Sequence, residues 1–244
     1  MKSNQSFINV YKKKSLKSEV VTQLLYGETF KKIKKHGSWL KIKCDLDNYK
    51  GFIKKKNYPS NQKNTHKVFN LYAKLYSKPN TKNKIKKKLS FGSKINVTEK
   101  KTNFYKFDNL WVNKNDLKDI NYKTRNIFKY IKKFINTKYK WGGRHFEGVD
   151  CSGLIQLFFN FNNKFCPRDA KDQIRYFKKN IKLKSIKKNS LIFWKGHVAL
   201  ALSRKKLIHA YGPFKKTVLM PIDKTIDRIN KTAKLKVIGI KKIS

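Results

Sequence analysis

The stretch YKWGGRHFEGVDCSGLIQLFF, residues 139–159, puts a cysteine where a thiol can do chemistry. Cys151 stands between Asp150 and Ser152, after a glycine-rich run and at the start of an apolar segment. That segment reads as a helix, so Cys151 falls in its first turn. Free backbone N–H groups and the helix dipole favour a thiolate there. The same N–H groups can receive the oxyanion of a tetrahedral intermediate. Asp150 fits the helix N-cap, and Gly148 and Gly153 permit close backbone approach. Cys44 and Cys166 have no comparable setting; Cys166 precedes a proline, lacks a nearby histidine motif and reads as structural.

A cysteine nucleophile needs a base within hydrogen-bond reach. Of the five histidines, His197 and His209 lie on consecutive strand-like segments, HVALAL and LIHAY. Directly paired residues of an antiparallel hairpin share a face. If Ala201 pairs with Leu207, then Ala199 pairs with His209, and His197 lies diagonally across on that face, ~7–8 Å away between backbones. This requires an odd-length connection; an even-length one puts the imidazoles on opposite faces. The spacing permits a triad of Cys151 as nucleophile, His197 as general base and His209 as the group that orients it. It equally permits two histidines with core or edge roles. His36, His66 and His145 lie in turn-like segments and are expected in solvent. No cluster has metal-ligand spacing, so neither a metal nor another cofactor is expected.

These side chains need elements to hold them. Ile127, Phe128, Ile131, Phe134 and Ile135 recur at helical spacing, predicting a helix over 124–136. A second helix runs from Cys151 through SGLIQLFFNF and a third over 169–178. SLIFWKGHVALALS, KLIHAYG, TVLMPI and LKVIGIKKI then read as strands, giving an α+β domain.

The first ~120 residues have the short alternating runs and turn residues of small all-β modules. They contain a repeat with a constant offset of 65 positions (Gly27 to Gly92, Trp39 to Phe104, Tyr11 to Tyr76). Two tandem barrels of about five strands are expected, at 1–60 and 67–119, joined by a linker over 59–67. No Gly/Ser/Pro-rich spacer lies between Val112 and Thr124, so the domains are expected to pack together.

The net charge is +47, from 61 Lys and Arg against 14 Asp and Glu. The surplus is almost all lysine and is spread along the whole chain, which fits biased codon usage better than phosphate recognition, where arginine is favoured. No specific nucleic-acid partner is expected. Three cysteines give no even disulfide framework, which favours a reducing compartment. The start of the chain is too polar for a secretory signal, and no apolar run reaches the ~20 residues of a membrane span. The chain thus reads as cytoplasmic, or as secreted or periplasmic if a signal has been removed.

Taken together, YKWGG…GVDCSGLIQ, CPRDAKDQ, LIFWKGHVAL and LIHA resemble the NlpC-type cysteine peptidases of bacterial cell-wall metabolism, over residues 122–244. The leading modules resemble the bacterial SH3-like domains attached to such enzymes. The resemblance implies a papain-like α+β domain preceded by two SH3-like β-barrels, with Cys151, His197 and His209 as the triad. It also implies cleavage of γ-D-glutamyl–diamino acid bonds in peptidoglycan stem peptides. The paired barrels and the FWKGHVA wording point to the subgroup acting on free peptides with an unblocked L-Ala, where the first barrel walls the site. Asp169 would then meet the substrate ammonium, and Asp150 and Ser152 would touch substrate. Tyr139 and Trp141 are candidate aromatic walls, and Tyr49 and Glu28 candidate contacts from the first barrel. The chain departs from the family pattern in having Asn189-Ser190 for Gly-Asp, Val149 for Phe, and Ala170 for a frequent serine. The competing functions are a secreted hydrolase of intact wall and a non-catalytic wall-binding module.

Overall fold

A computed structural model describes residues 1–60 and 63–243. The first unit has five strands, β1 (Phe7–Tyr11), β2 (Val20–Leu25), β3 (Phe30–His36), β4 (Trp39–Cys44) and β5 (Lys50–Lys54). They form an antiparallel sheet in the order β2-β1-β5-β4-β3. The inward-facing residues Val10, Phe30, Ile42 and Ile53 are fully buried in its core.

The second unit contains β6 (His66–Val68), β7 (Tyr72–Tyr76), β8 (Lys84–Ser90), β9 (Lys94–Ile95), β10 (Glu99–Lys100), β11 (Phe104–Phe107), β12 (Leu110–Asn113) and β13 (Leu117–Asp119). Its main sheet runs β10-β11-β12-β7-β8, and β13-β6-β9 forms a smaller one. Replacing β7, β8, β10, β11 and β12 by β1, β2, β3, β4 and β5 reproduces the first sheet's order. The repeat holds in detail. Gly27 and Gly92 turn the chain with φ of +80° and +83°. Tyr11 meets Trp39 edge-on at 5.5 Å, and Tyr76 meets Phe104 edge-on at 5.2 Å.

Two expectations need correction here. Among the described residues neither five-stranded sheet closes into a barrel. In the first unit the outer strand β2 gives its Gln23 carbonyl to Arg144 of the third unit instead of to another strand. The start of β3 is taken by the N-terminal residues, through a Lys2–Thr29 bridge and the Phe30 N–H to Met1 carbonyl bond. The proposed linker is also shorter than 59–67, because His66 and Lys67 already belong to β6; residues 61 and 62 lie outside the described residues.

The third unit comprises β14 (Arg144–His145), β15 (Gly148–Val149), α1 (Cys151–Phe161), α2 (Ala170–Tyr176), β16 (Ser190–Trp194), β17 (His197–Ala201), β18 (Lys206–Tyr211), β19 (Lys216–Pro221), α3 (Ile222–Ala233) and β20 (Gly239–Lys242). A five-stranded antiparallel sheet, β19-β18-β17-β16-β20, carries helices on both faces. Leu191 and Phe193 of β16 face the core built on α1, whereas Ile192 and Trp194 face the core under α3, as strand alternation requires. Among the described residues no helix is long and apolar enough to cross a membrane.

The expected helix over 124–136 does not form. Only Ile131–Phe134 is helical, as a 3-10 turn. The backbone bonds run to the third preceding carbonyl, as in Lys129 to Asn126, Lys133 to Tyr130 and Thr137 to Phe134. Thr124 and Asn126 are pinned by Asn162 and Asn189 of other elements, and Asn136 leaves with φ +65°. The apolar spacing still marked burial, since Ile127, Phe128, Ile131 and Phe134 are all in the core.

The three units share that core. Leu25 of the first and Phe91 of the second are fully buried among the apolar residues of α1. The Phe91 ring lies 4.5 Å from Phe161 and 4.8 Å from Phe158. Lys67 is fully buried, and its ammonium donates to the carbonyls of Phe161, at the end of α1, and Ile120, at 2.6 and 2.9 Å. The last turn of α1 has no basic residue of its own, so the second unit supplies the cation that a helix C-terminus favours. Burial pulls the Lys67 pKa down to about 8.

Candidate active site

Cys151 opens α1, and Asp150 caps it in extended conformation. Asp150 Oδ1 accepts from the Gly153 N–H at 2.7 Å, and Oδ2 from the Gly142 N–H at 2.8 Å. Arg168 grips the same carboxylate with both terminal nitrogens, Nη1 at 3.0 Å and Nη2 at 2.6 Å. The Ser152 hydroxyl donates to Asp150 and accepts from Arg168. Asp150 and Ser152 line the cavity at Cys151, but their polar atoms are spent on fixing the nucleophile's turn. Arg168 was not singled out from the sequence, although it stands in the quoted CPRDAKDQ.

The thiol faces the turn that leads into β17. Its sulfur lies 3.9 Å from the Gly196 carbonyl, and the N–H groups of Val198 and Ser152 point at it. Burial, and then the Asp150 charge, pushes the Cys151 pKa up to about 12; the two N–H groups oppose the rise.

The β17–β18 register is the one that an odd-length connection gives. Leu200 pairs with Ile208 and Ala201 with Leu207. His197 and His209 therefore share a face, and His197 Nε2 lies 2.9 Å from His209 Nδ1. His209 is buried, stacks on Tyr211 at 4.7 Å, and turns its Nε2 to the Met220 sulfur at 3.4 Å. One tautomer set satisfies the pair: His209 carries its proton on Nε2, and His197 donates from Nε2. The lone pair of His197 is then on Nδ1. Burial lowers the His197 pKa to about 4 and drives that of His209 well below the usual imidazole value. Both rings are therefore neutral near pH 7.

The first unit builds one side of the cleft. A cavity of about 440 Å³ at Cys151 is lined by Lys12, Glu19, Tyr49 and Lys50 from that unit, and by Trp141, Asp169 and Lys171 from the third. The Tyr49 hydroxyl donates to Asp169 Oδ2 at 3.1 Å, so two residues expected at the site meet across the units. Burial raises the pKa of Asp169, opposed by the Arg168 charge and the Tyr49 bond. Trp141 is largely exposed and donates its indole N–H to Glu19 at 2.8 Å. Glu19 also pairs with Lys12 at 3.1 Å.

Three expectations fare differently. Glu28 is not at the cleft: its carboxylate is buried against Arg144, which holds both oxygens at 3.0 and 3.1 Å. Tyr139 is half-buried beside Gly212 and is not among the side chains facing the cavity, though it lies near enough to Cys151 and Asp150 for their charges to add to the burial that raises its pKa. His145 is buried, not solvated, and stacks on Phe7 of the first unit at 3.9 Å. The Asn189 departure is explained by its φ of +68°, a left-handed conformation that asparagine tolerates better than most residues.

Two stretches of the chain match known families. Residues 136–226 match the NlpC/P60 family, and residues 6–58 match the bacterial SH3 domain. The dipeptidyl-peptidase 6 of Lysinibacillus sphaericus is 35% identical over 85 residues, which are 35% of this chain and 31% of that protein. A probable endopeptidase of Haemophilus influenzae is 35% identical over 30% of this chain and 50% of its own length. The match thus spans a third to a half of these curated relatives. The crystal structure of an NlpC/P60 family protein from Bacillus cereus superposes with a TM-score of 0.81 at 19% identity, covering 99% of this chain and 98% of that one. The chain therefore carries an NlpC/P60 domain with a bacterial SH3 domain ahead of it.

Proposed function

We propose that the chain is a cysteine peptidase that hydrolyses γ-D-glutamyl–diamino acid bonds in peptidoglycan-derived peptides with a free N-terminal L-Ala. The observation that carries this reading is the conjunction of a helix-opening thiol, facing the turn into β17, with a hydrogen-bonded imidazole pair on β17 and β18. In this reading Cys151 attacks the γ-carbonyl carbon and its proton passes to His197 Nδ1. His209 accepts from His197 Nε2–H and stabilises the imidazolium that forms. N–H groups at the start of α1 receive the oxyanion. His197 then protonates the leaving amine, and water, activated by the neutral imidazole, hydrolyses the thioester.

Preference for released peptides over intact wall follows from the first unit. Asp169 and Tyr49 close one end of the cleft with a half-buried carboxylate, the counter-charge for an ammonium. A blocked amine would leave that carboxylate unpaired, and such a site rejects the analogue strongly. The second five-stranded sheet shares the topology of the first, and we read it as a second SH3-like unit that braces α1 through Phe91 and Lys67. The test is to incubate the protein with L-Ala-γ-D-Glu-diaminopimelate, its N-acetylated form and intact peptidoglycan, and to weigh the products. Cleavage of the free peptide after D-Glu is expected, with at least ~100-fold slower turnover of the acetylated form. No dipeptide product from the free substrate would refute the reading.

A further inference from the structure

The cleft at Cys151 holds an unbalanced set of charges. Of the charged side chains lining it, Asp150 and Arg168 neutralise each other, as do Glu19 and Lys12. Asp169 accepts from the neutral Tyr49 hydroxyl and keeps a charge of its own, on which the nearby Lys171 ammonium acts. Lys50 and Lys171 remain, and among the described residues neither makes a salt bridge or a side-chain hydrogen bond. Both are exposed. Lys50 also stands directly opposite Lys43 on the β4–β5 ladder, a like-charge pairing that the sheet does not need. Ala170, a buried methyl group that offers no hydrogen bond to a ligand, lines the same cleft.

We propose that Lys50 and Lys171 form a carboxylate subsite, so that the chain selects substrates whose γ-linked glutamyl residue has a free α-carboxylate over those in which it is a carboxamide. This rests on the peptidase reading above. The two lysines are the sequence neighbours of Tyr49 and Ala170, on the Asp169 side of the cleft. In an aminoacyl-γ-glutamyl peptide the α-carboxylate hangs between the N-terminal ammonium and the scissile carbonyl. A ligand with its ammonium at Asp169 and its carbonyl at Cys151 brings that carboxylate into the stretch the lysines flank. Two ammonium donors, one from each unit, can hold the two oxygens of a carboxylate. A carboxamide removes the charge and turns one of those acceptors into a donor facing an ammonium.

The experiment compares kcat/KM for L-Ala-γ-D-Glu-diaminopimelate and its D-isoglutamine counterpart, at low and high salt, in the wild type, K50M, K171M and the double variant. Wild type is expected to prefer the carboxylate by ~10–100-fold, with the ratio shrinking as salt rises. Each single variant should lower the ratio and the double variant should bring it near one. An equal kcat/KM for the two peptides in wild type, or a ratio unchanged in the double variant, overturns the inference. If wild type cleaves neither peptide, the peptidase reading fails instead. Binding of the dipeptides L-Ala-γ-D-Glu and L-Ala-D-isoglutamine to the Cys151→Ala protein then decides the subsite alone: equal affinity overturns it, and a carboxylate preference lost in the double lysine background upholds it.

Discussion

Asp150→Asn separates a residue that touches substrate from one that anchors the nucleophile. The substitution keeps the shape and some capping capacity, since asparagine is also a good N-cap. It removes the charge that Arg168 grips at 2.6 and 3.0 Å, with both side chains almost wholly buried. Removing one partner of a buried pair strands the other charge and costs about 3–5 kcal/mol. For a chain of this length that is a fall in Tm of about 10 °C. Each Asp150 oxygen accepts from one Arg168 nitrogen and one backbone N–H, so the new NH₂ opposes both donors wherever it is placed, and the Cys151 turn loses a bond as well. Thermal unfolding of wild type, Asp150→Asn, Arg168→Gln and the double variant gives the coupling directly. The double variant should be less destabilised than the sum of the singles, because no buried charge is left alone. Turnover per folded molecule should drop through kcat. A Tm within about 2 °C of wild type, with the loss confined to KM, would show that the carboxylate works on substrate and that the anchoring account is wrong.

His197 must be neutral to take the thiol proton, and its pKa is lowered to about 4, so the acid limb of kcat/KM should lie between pH 4 and the ordinary imidazole value near 6.5; a limb above pH 6.5 would contradict the buried, neutral base. His209→Gln, which keeps an acceptor toward His197 Nε2, should retain more activity than His209→Ala, and equal kcat values would deny His209 its orienting role. Gly142→Ala should cost at least ~2 kcal/mol and most turnover, because its Cβ would fall 2.1 Å from the Val20 carbonyl of the first unit at a φ of +73°; unfolding and peptide assays read both. Cys151→Ala should abolish hydrolysis in a fold of unchanged Tm, whereas Cys166→Ala should stay active, and residual thiol-independent turnover in the first would sink the mechanism.

The site was legible in the sequence where a local pattern fixes geometry. DCSGL sets a cap, a first turn and a helix, so the position of Cys151 followed directly. The imidazole pair followed from strand register, which depends only on the parity of one connection. Pairings made across units were harder to see. Nothing near Glu28 indicates that Arg144, 116 positions away, takes its carboxylate, and nothing near Lys67 announces the end of a helix. His145 reads as a turn residue until Phe7 arrives to stack on it. The α3 helix had a signal that went unused. Ile222, Ile226 and Ile229 recur at helical spacing, but eight polar residues in IDKTIDRINKTA dilute them. Over 124–136 the apolar period marks burial but not a helix, because side chains take backbone groups that a helix would use: Asn162 accepts from the Thr124 N–H and donates to the Ile127 carbonyl, and Asn126 accepts from the Phe128 N–H.

The first unit packs directly on the third, and its contacts converge on a few residues before and after Cys151. Val20 packs its carbonyl on Gly142, Gln23 and Glu28 hold Arg144, and Thr22 accepts from Arg168 at 3.0 Å. Gly142 and Arg168 are in turn the groups that fix Asp150, next to Cys151. Thr22, Gln23, Glu28, Arg144 and Arg168 are all buried, so removing the Glu28 carboxylate alone would leave Arg144 as a buried cation without its partner. The excess of lysine on the surface leaves this untouched, because the charges that matter are paired inside. Tyr49 and Lys50 are consecutive at the start of β5 and both line the cleft, so whatever holds that end of β5 against the third unit places both the group that meets Asp169 and a cation there. The proposed substrate contacts and the positioning of the thiol thus share one interface, so on the peptidase reading a change in the first unit should alter kcat as well as KM.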